Sequence, residues 1–61
     1  MIITIYVLIE GIWQKRRNTY NTIKFLTKIK AKLQKGIEVG FYQEAKLVNS
    51  DGQEIWHYYG L

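Results

Sequence analysis

Between Ile23 and Lys35 the apolar and cationic residues separate at helical spacing, and that separation limits the fold more than any other feature of the chain. At 100° per residue Ile23, Phe25, Leu26, Ile29 and Leu33 fall on one arc. Lys24, Lys28, Lys32 and Lys35 fall on the opposite one. Lys30 stands at the margin, where its stem can lie on apolar surface while the ammonium reaches water. The spacing predicts a helix that begins after Asn18 or Asn21, either of which offers a capping oxygen, and runs to about Lys35. Gly36 is then the residue suited to the left-handed stop. Such a helix needs something apolar to cover.

The rest of the chain supplies a sheet. Residues 2–9 (IITIYVLI) are rich in β-branched side chains and apolar on both faces, with Ile3, Ile5, Val7 and Ile9 on one side and Ile2, Thr4, Tyr6 and Leu8 on the other. Glu10 and Gly11 end this strand or form a bulge after which Ile12 and Trp13 continue the pairing. Lys15 to Asn18 reads as a polar connection. After Gly36, the alternation of Ile37, Val39 and Phe41 with Glu38, Gly40 and Tyr42 predicts a half-buried strand that continues irregularly to Val48. Asn49-Ser50-Asp51-Gly52 is a turn cluster, so residues 53–59 return as a hairpin partner. The expectation is a single α+β domain over residues 1–61, in the order β-α-β-β. One amphipathic helix would pack on one face of a small three-stranded sheet.

That arrangement leaves the second face of the sheet without a cover. Tyr6, Leu8 and Tyr42 are expected on it. Register decides whether Trp56 and Tyr58 join them, or Ile55, His57 and Tyr59. Tyr6, Leu8, Tyr42, Trp56 and Tyr58 are taken as a partner interface, most simply with a second copy of the chain, because small domains gain stability by associating. A base-stacking surface is the rival reading. Glu38, Glu44 and Glu54 on the same parity argue against it, since carboxylates repel a passing phosphate backbone.

Charge points to a partner of opposite sign. The net charge is +4, yet residues 15–35 hold eight cations and no acid. Lysines at i,i+4 repel slightly, and a helix face that only had to be solvated would be expected to interleave Glu. Lys15, Arg16, Arg17, Lys24, Lys28, Lys32 and Lys35 are the candidate phosphate contacts. Lys15-Arg16-Arg17 would stand just before a helix N-terminus, where an anion satisfies both the cations and the orphan N–H groups, and Asn18, Thr19 and Tyr20 could add neutral donors. A Lys stripe tracks phosphates and does not read base edges, so binding to DNA or RNA should be weakly sequence-selective and sensitive to salt. The competing class is a protein-docking module, such as a small phage- or plasmid-type inhibitor, that meets an acidic protein surface.

Little else in the chain carries chemistry. There is no Cys, so no disulfide or thiolate site, and no phosphate loop, calcium loop or zinc-protease motif. No cofactor and no metal site are expected. His57 is the single imidazole, and with Tyr58, Tyr59 and Arg16 or Arg17 it has the ingredients of a metal-independent ribonuclease. A packed strand histidine is the simpler reading, and a non-enzymatic module is expected. The apolar run of residues 1–9 is too short to span a membrane. It also has neither the basic region before it nor the cleavage site after it that a signal peptide requires, so a cytoplasmic protein is expected.

Overall fold

A computed structural model describes residues 2–20 and 22–60, without the side chains of residues 19 and 20. The chain runs β1 (Ile2–Ile9), β2 (Ile12–Tyr20), α1 (Ile23–Glu38), β3 (Glu44–Val48) and β4 (Glu54–Tyr59). The fold is α+β, with one helix and a sheet of four strands in the order β2-β1-β3-β4. Every pairing is antiparallel. The expected order β-α-β-β with three strands is corrected to β-β-α-β-β. The added strand is β2 (IWQKRRNTY): Ile12 and Trp13 continue the pairing, as one of the two expected alternatives has it, but so do Lys15 to Asn18, expected as a polar connection. It is an edge strand, and edge strands carry charge because one of their sides meets water.

β1 and β2 form a tight hairpin. Ile9 pairs with Ile12, so the loop is the two residues Glu10 and Gly11, with φ of 52° and 79°. Two successive positive φ values are the pattern of a type I′ turn, whose twist matches that of the strands it joins. At the other end of the sheet, Asn49 organises the β3–β4 turn. Its Oδ1 accepts the backbone N–H groups of Asp51 (3.0 Å) and Gln53 (2.9 Å), so the turn cluster does what its residues predict. Gln43 ties the two hairpins together. Its N–H donates to the Leu8 carbonyl (2.7 Å), its carbonyl accepts from Gly60 N–H (3.1 Å), and its Oε1 accepts from Gly11 N–H (2.8 Å).

The helix differs from expectation at both ends. Thr22 is the N-cap, its Oγ1 accepting from Phe25 N–H. Asn18 lies within β2, and Asn21 lies outside the described residues. At the C-terminus the helix runs through Gly36 to Glu38, and Val39 is the cap. Gly40, with φ of 90°, takes the left-handed position expected of Gly36. Gly40 N–H donates to the Ile37 carbonyl and Phe41 N–H to that of Gly36, the paired bonds of a Schellman ending. The strand expected over Ile37, Val39 and Phe41 is therefore absent. Ile37 belongs to the apolar side of α1, one turn on from Leu33, while Val39 and Phe41 are exposed.

The core lies between α1 and one face of the sheet. Ile3, Ile5 and Val7 of β1, Ala45 and Leu47 of β3, and Leu33 of α1 are buried, with Leu26, Ile29, Ile37, Tyr42 and Trp56 packed around them. Fully burying side chains such as Ile3, Val7 and Leu47 contributes about 1.5–3 kcal/mol each. The helical arc expected to cover the sheet is shifted. Leu26, Ile29 and Leu33 face inward as predicted, but Ile23 is 87% exposed and Phe25 44% exposed. No helix among the described residues is long and apolar enough to cross a membrane.

Candidate nucleic-acid interface

The site begins with an irregularity in β2. Thr4 pairs with Asn18 and Tyr6 with Lys15, so Arg16 and Arg17 together stand opposite the single residue Ile5. This is a β-bulge, the device by which an edge strand re-aims its side chains. Here it brings two neighbouring arginines to the helix side of the sheet, where both line a cleft of about 200 Å³ between β2 and α1. Lys32 faces them from the helix. Ile5 and Leu33, buried, and Ile29, half-buried, form the floor, and half-buried Tyr42 completes the lining. No carboxylate lines the cleft.

Of the seven cations read from the sequence, Arg16, Arg17 and Lys32 therefore converge. Lys24, Lys28 and Lys35 are exposed along the helix, on the arc that Lys32 borders. Lys15 is separated from them. It pairs with Tyr6 and so lies on the opposite face of the sheet. Lys15-Arg16-Arg17 is not a loop leading into the helix. The two arginines lie beside Ile29 and Leu33, past the first turn of α1, so the expected anion site at the helix N-terminus is not the geometry formed. The side chains of Thr19 and Tyr20 lie outside the described residues. Lys30 leans the other way, with its Nζ 6.0 Å from the Trp56 ring centroid, as its marginal position predicted.

Two carboxylates, Glu44 and Glu54, are engaged on the opposite face of the sheet. His57 Nε2 is 2.7 Å from Glu44 Oε1, and His57 Nδ1 is 2.6 Å from Glu54 Oε1. A second bulge makes this possible. Leu47 pairs with Trp56 and Val48 with Glu54, so Ile55 is the extra residue and Glu54 swings onto the face of His57. No ion pair joins Arg16, Arg17 or Lys32 to a carboxylate among the described residues.

The helix-free face is aromatic, as expected, but its membership is corrected. Tyr6 and Leu8 lie on it. Tyr42 and Trp56 pack against the core, and Tyr58 stands opposite buried Ala45, so these three belong to the helix side. Bulges and the longer helix changed the parity on which the first grouping rested. Trp13, His57 and Tyr59 take their places. The His57 and Tyr59 rings stack at 4.1 Å and Trp13 meets His57 edge-on at 5.7 Å. Lys46 Nζ sits 4.3 Å from the Trp13 ring centroid and 5.6 Å from that of Tyr6. Trp13, which the sequence allows to continue the pairing after Glu10 and Gly11, is absent from the expected grouping. Its place opposite Leu8 could have been found only by recognising Glu10-Gly11 as a two-residue turn.

This geometry does not assemble the ribonuclease ingredients. His57 has a carboxylate at each ring nitrogen and lies on the face away from the cleft of Arg16 and Arg17. Among the described residues no three His, Asp or Glu side chains are grouped so as to hold a metal ion. No protein-family model matches the chain, and neither a curated protein nor a solved structure does so.

Proposed function

We propose that this chain is a non-enzymatic module that binds nucleic-acid backbone through the cleft between β2 and α1, with little sequence selectivity. The observation that supports this is the convergence of Arg16, Arg17 and Lys32 on one cleft with no acid in its lining. Arginine forks grip phosphate oxygens in pairs, and two of them on one bulge provide a concave anion site. Lys28 lies four residues before Lys32, about 6 Å along the helix, and extends the positive track. Lysines at these positions contact phosphates without reading bases.

The test is a salt titration of binding to nonspecific DNA and RNA. Affinity should fall linearly on log–log axes, with a slope that reports the phosphates neutralised. No binding at low salt would remove this reading and favour an acidic protein as the partner.

A second role is supported by a separate observation. The helix-free face exposes Trp13 (37%) and Tyr59 (67%) beside Tyr6 and Leu8. We assign that face to self-association, because an aromatic sheet surface is what a small domain buries on dimerising. Sedimentation of the purified chain tests it directly.

A further inference from the structure

We infer that the cleft accepts one unpaired nucleotide, its base on the apolar floor and its phosphate among Arg16, Arg17 and Lys32. The inference rests on the backbone-binding reading above and adds the form of nucleic acid: single-stranded. Size is the first argument. About 200 Å³ is below the roughly 300–1,000 Å³ that encloses a whole small-molecule ligand, so the cleft holds one part of a larger molecule.

The chemistry of the lining is the second argument. The cleft has two parts, an exposed cationic rim and a more buried apolar part that includes the Tyr42 side chain. A duplex backbone would satisfy the rim alone and leave the floor in water, because its bases are stacked inside the helix. An unpaired nucleotide brings both complements at once, a flat apolar ring and an anion one sugar away. Preorganisation is the third. Tyr42 is backed by α1 at Gly36, so its ring is already in position and little freedom is lost on binding.

The test is fluorescence anisotropy with three probes of equal length. They are a labelled single-stranded oligonucleotide, its duplex, and an abasic strand that keeps the phosphates but carries no bases. Wild-type protein should bind the single strand about tenfold more tightly than either other probe. The Arg16→Ala/Arg17→Ala double variant, altered only at exposed positions, should lose that preference. Equal binding of all three probes, with all three weakened by the double variant, would overturn the inference and leave backbone binding intact. A single-strand preference that survives the double variant would place the base elsewhere, and overturn it too. Absence of binding to every probe at low salt would remove both readings.

Discussion

The ring of Tyr42 lies against α1 at Gly36, in the space where any other residue at position 36 would carry its Cβ. A glycine inside a helix costs roughly 0.5–1 kcal/mol relative to alanine. Here the close approach of an aromatic ring requires it. Gly36→Ala should therefore destabilise the fold by about 1–3 kcal/mol despite its better helix propensity, because a packed ring must move. In a Tyr42→Ala background the same substitution should become neutral or stabilising by up to about 1 kcal/mol. Urea unfolding of the four proteins in this cycle measures the change of sign.

Two lysines test which face meets the anion. Lys32→Ala and Lys15→Ala remove the same formal charge from opposite faces of the sheet. Lys32→Ala should lower the slope of log affinity against log salt by about 0.7–0.9, the loss of one phosphate contact. Lys15→Ala should leave the slope unchanged within error. Equal effects from both would indicate that only net charge matters.

The hairpin turn carries strain that can be relieved. Glu10 has a φ of 52° without being glycine or asparagine. Left-handed backbone costs an ordinary L-residue roughly 1–2 kcal/mol, and Asn tolerates it better. Glu10→Asn should raise the stability of the fold by about 0.5–1 kcal/mol, read as a later urea midpoint with an unchanged m-value.

The two glutamates on His57 should differ in weight. The side chain of Glu44 is 29% exposed and that of Glu54 is 44% exposed, so water competes less for the first contact. Glu44→Ala should cost about 1–2 kcal/mol and Glu54→Ala less than about 1 kcal/mol. Thermal melts of the single variants compare them. A larger loss at Glu54 would contradict the ordering by exposure.

Self-association should depend on the helix-free face. Sedimentation should detect a dimer in the wild type and a monomer in Trp13→Ser/Tyr59→Ser, with the far-ultraviolet circular dichroism retained. A wild type that stays monomeric at high concentration would remove the dimer.

Much of the core was legible from periodicity. Ile3, Ile5 and Val7 pack against Leu26, Ile29 and Leu33, the pairing that alternation in one segment and helical spacing in the other predict. The Asn49 turn was legible from its residue types. β2 was not, because an edge strand with one turn of bulge and four polar neighbours has no alternation to read. The role of Gly36 was not legible because the commonest reason for glycine near a helix end is a left-handed stop, whereas here the reason is a tyrosine six residues on whose ring packs against it. The cation-rich middle was legible as a charge pattern. Its division between two faces was not, since a single extra residue in β2 decides where Arg16 and Arg17 point.

The placement of β1 between β2 and β3 has a kinetic consequence. The β1–β2 and β3–β4 pairings are local hairpins, but the β1–β3 seam joins residues 36 to 44 positions apart, from Leu8 with Glu44 to Thr4 with Val48. Hairpins of this kind close in about 1–10 μs, and distant pairings wait on a larger loop closure. The rate-limiting event in assembly should then be the docking of two preformed halves along that central seam, and substitutions at Ile5 or Leu47 should slow refolding more than substitutions within either turn.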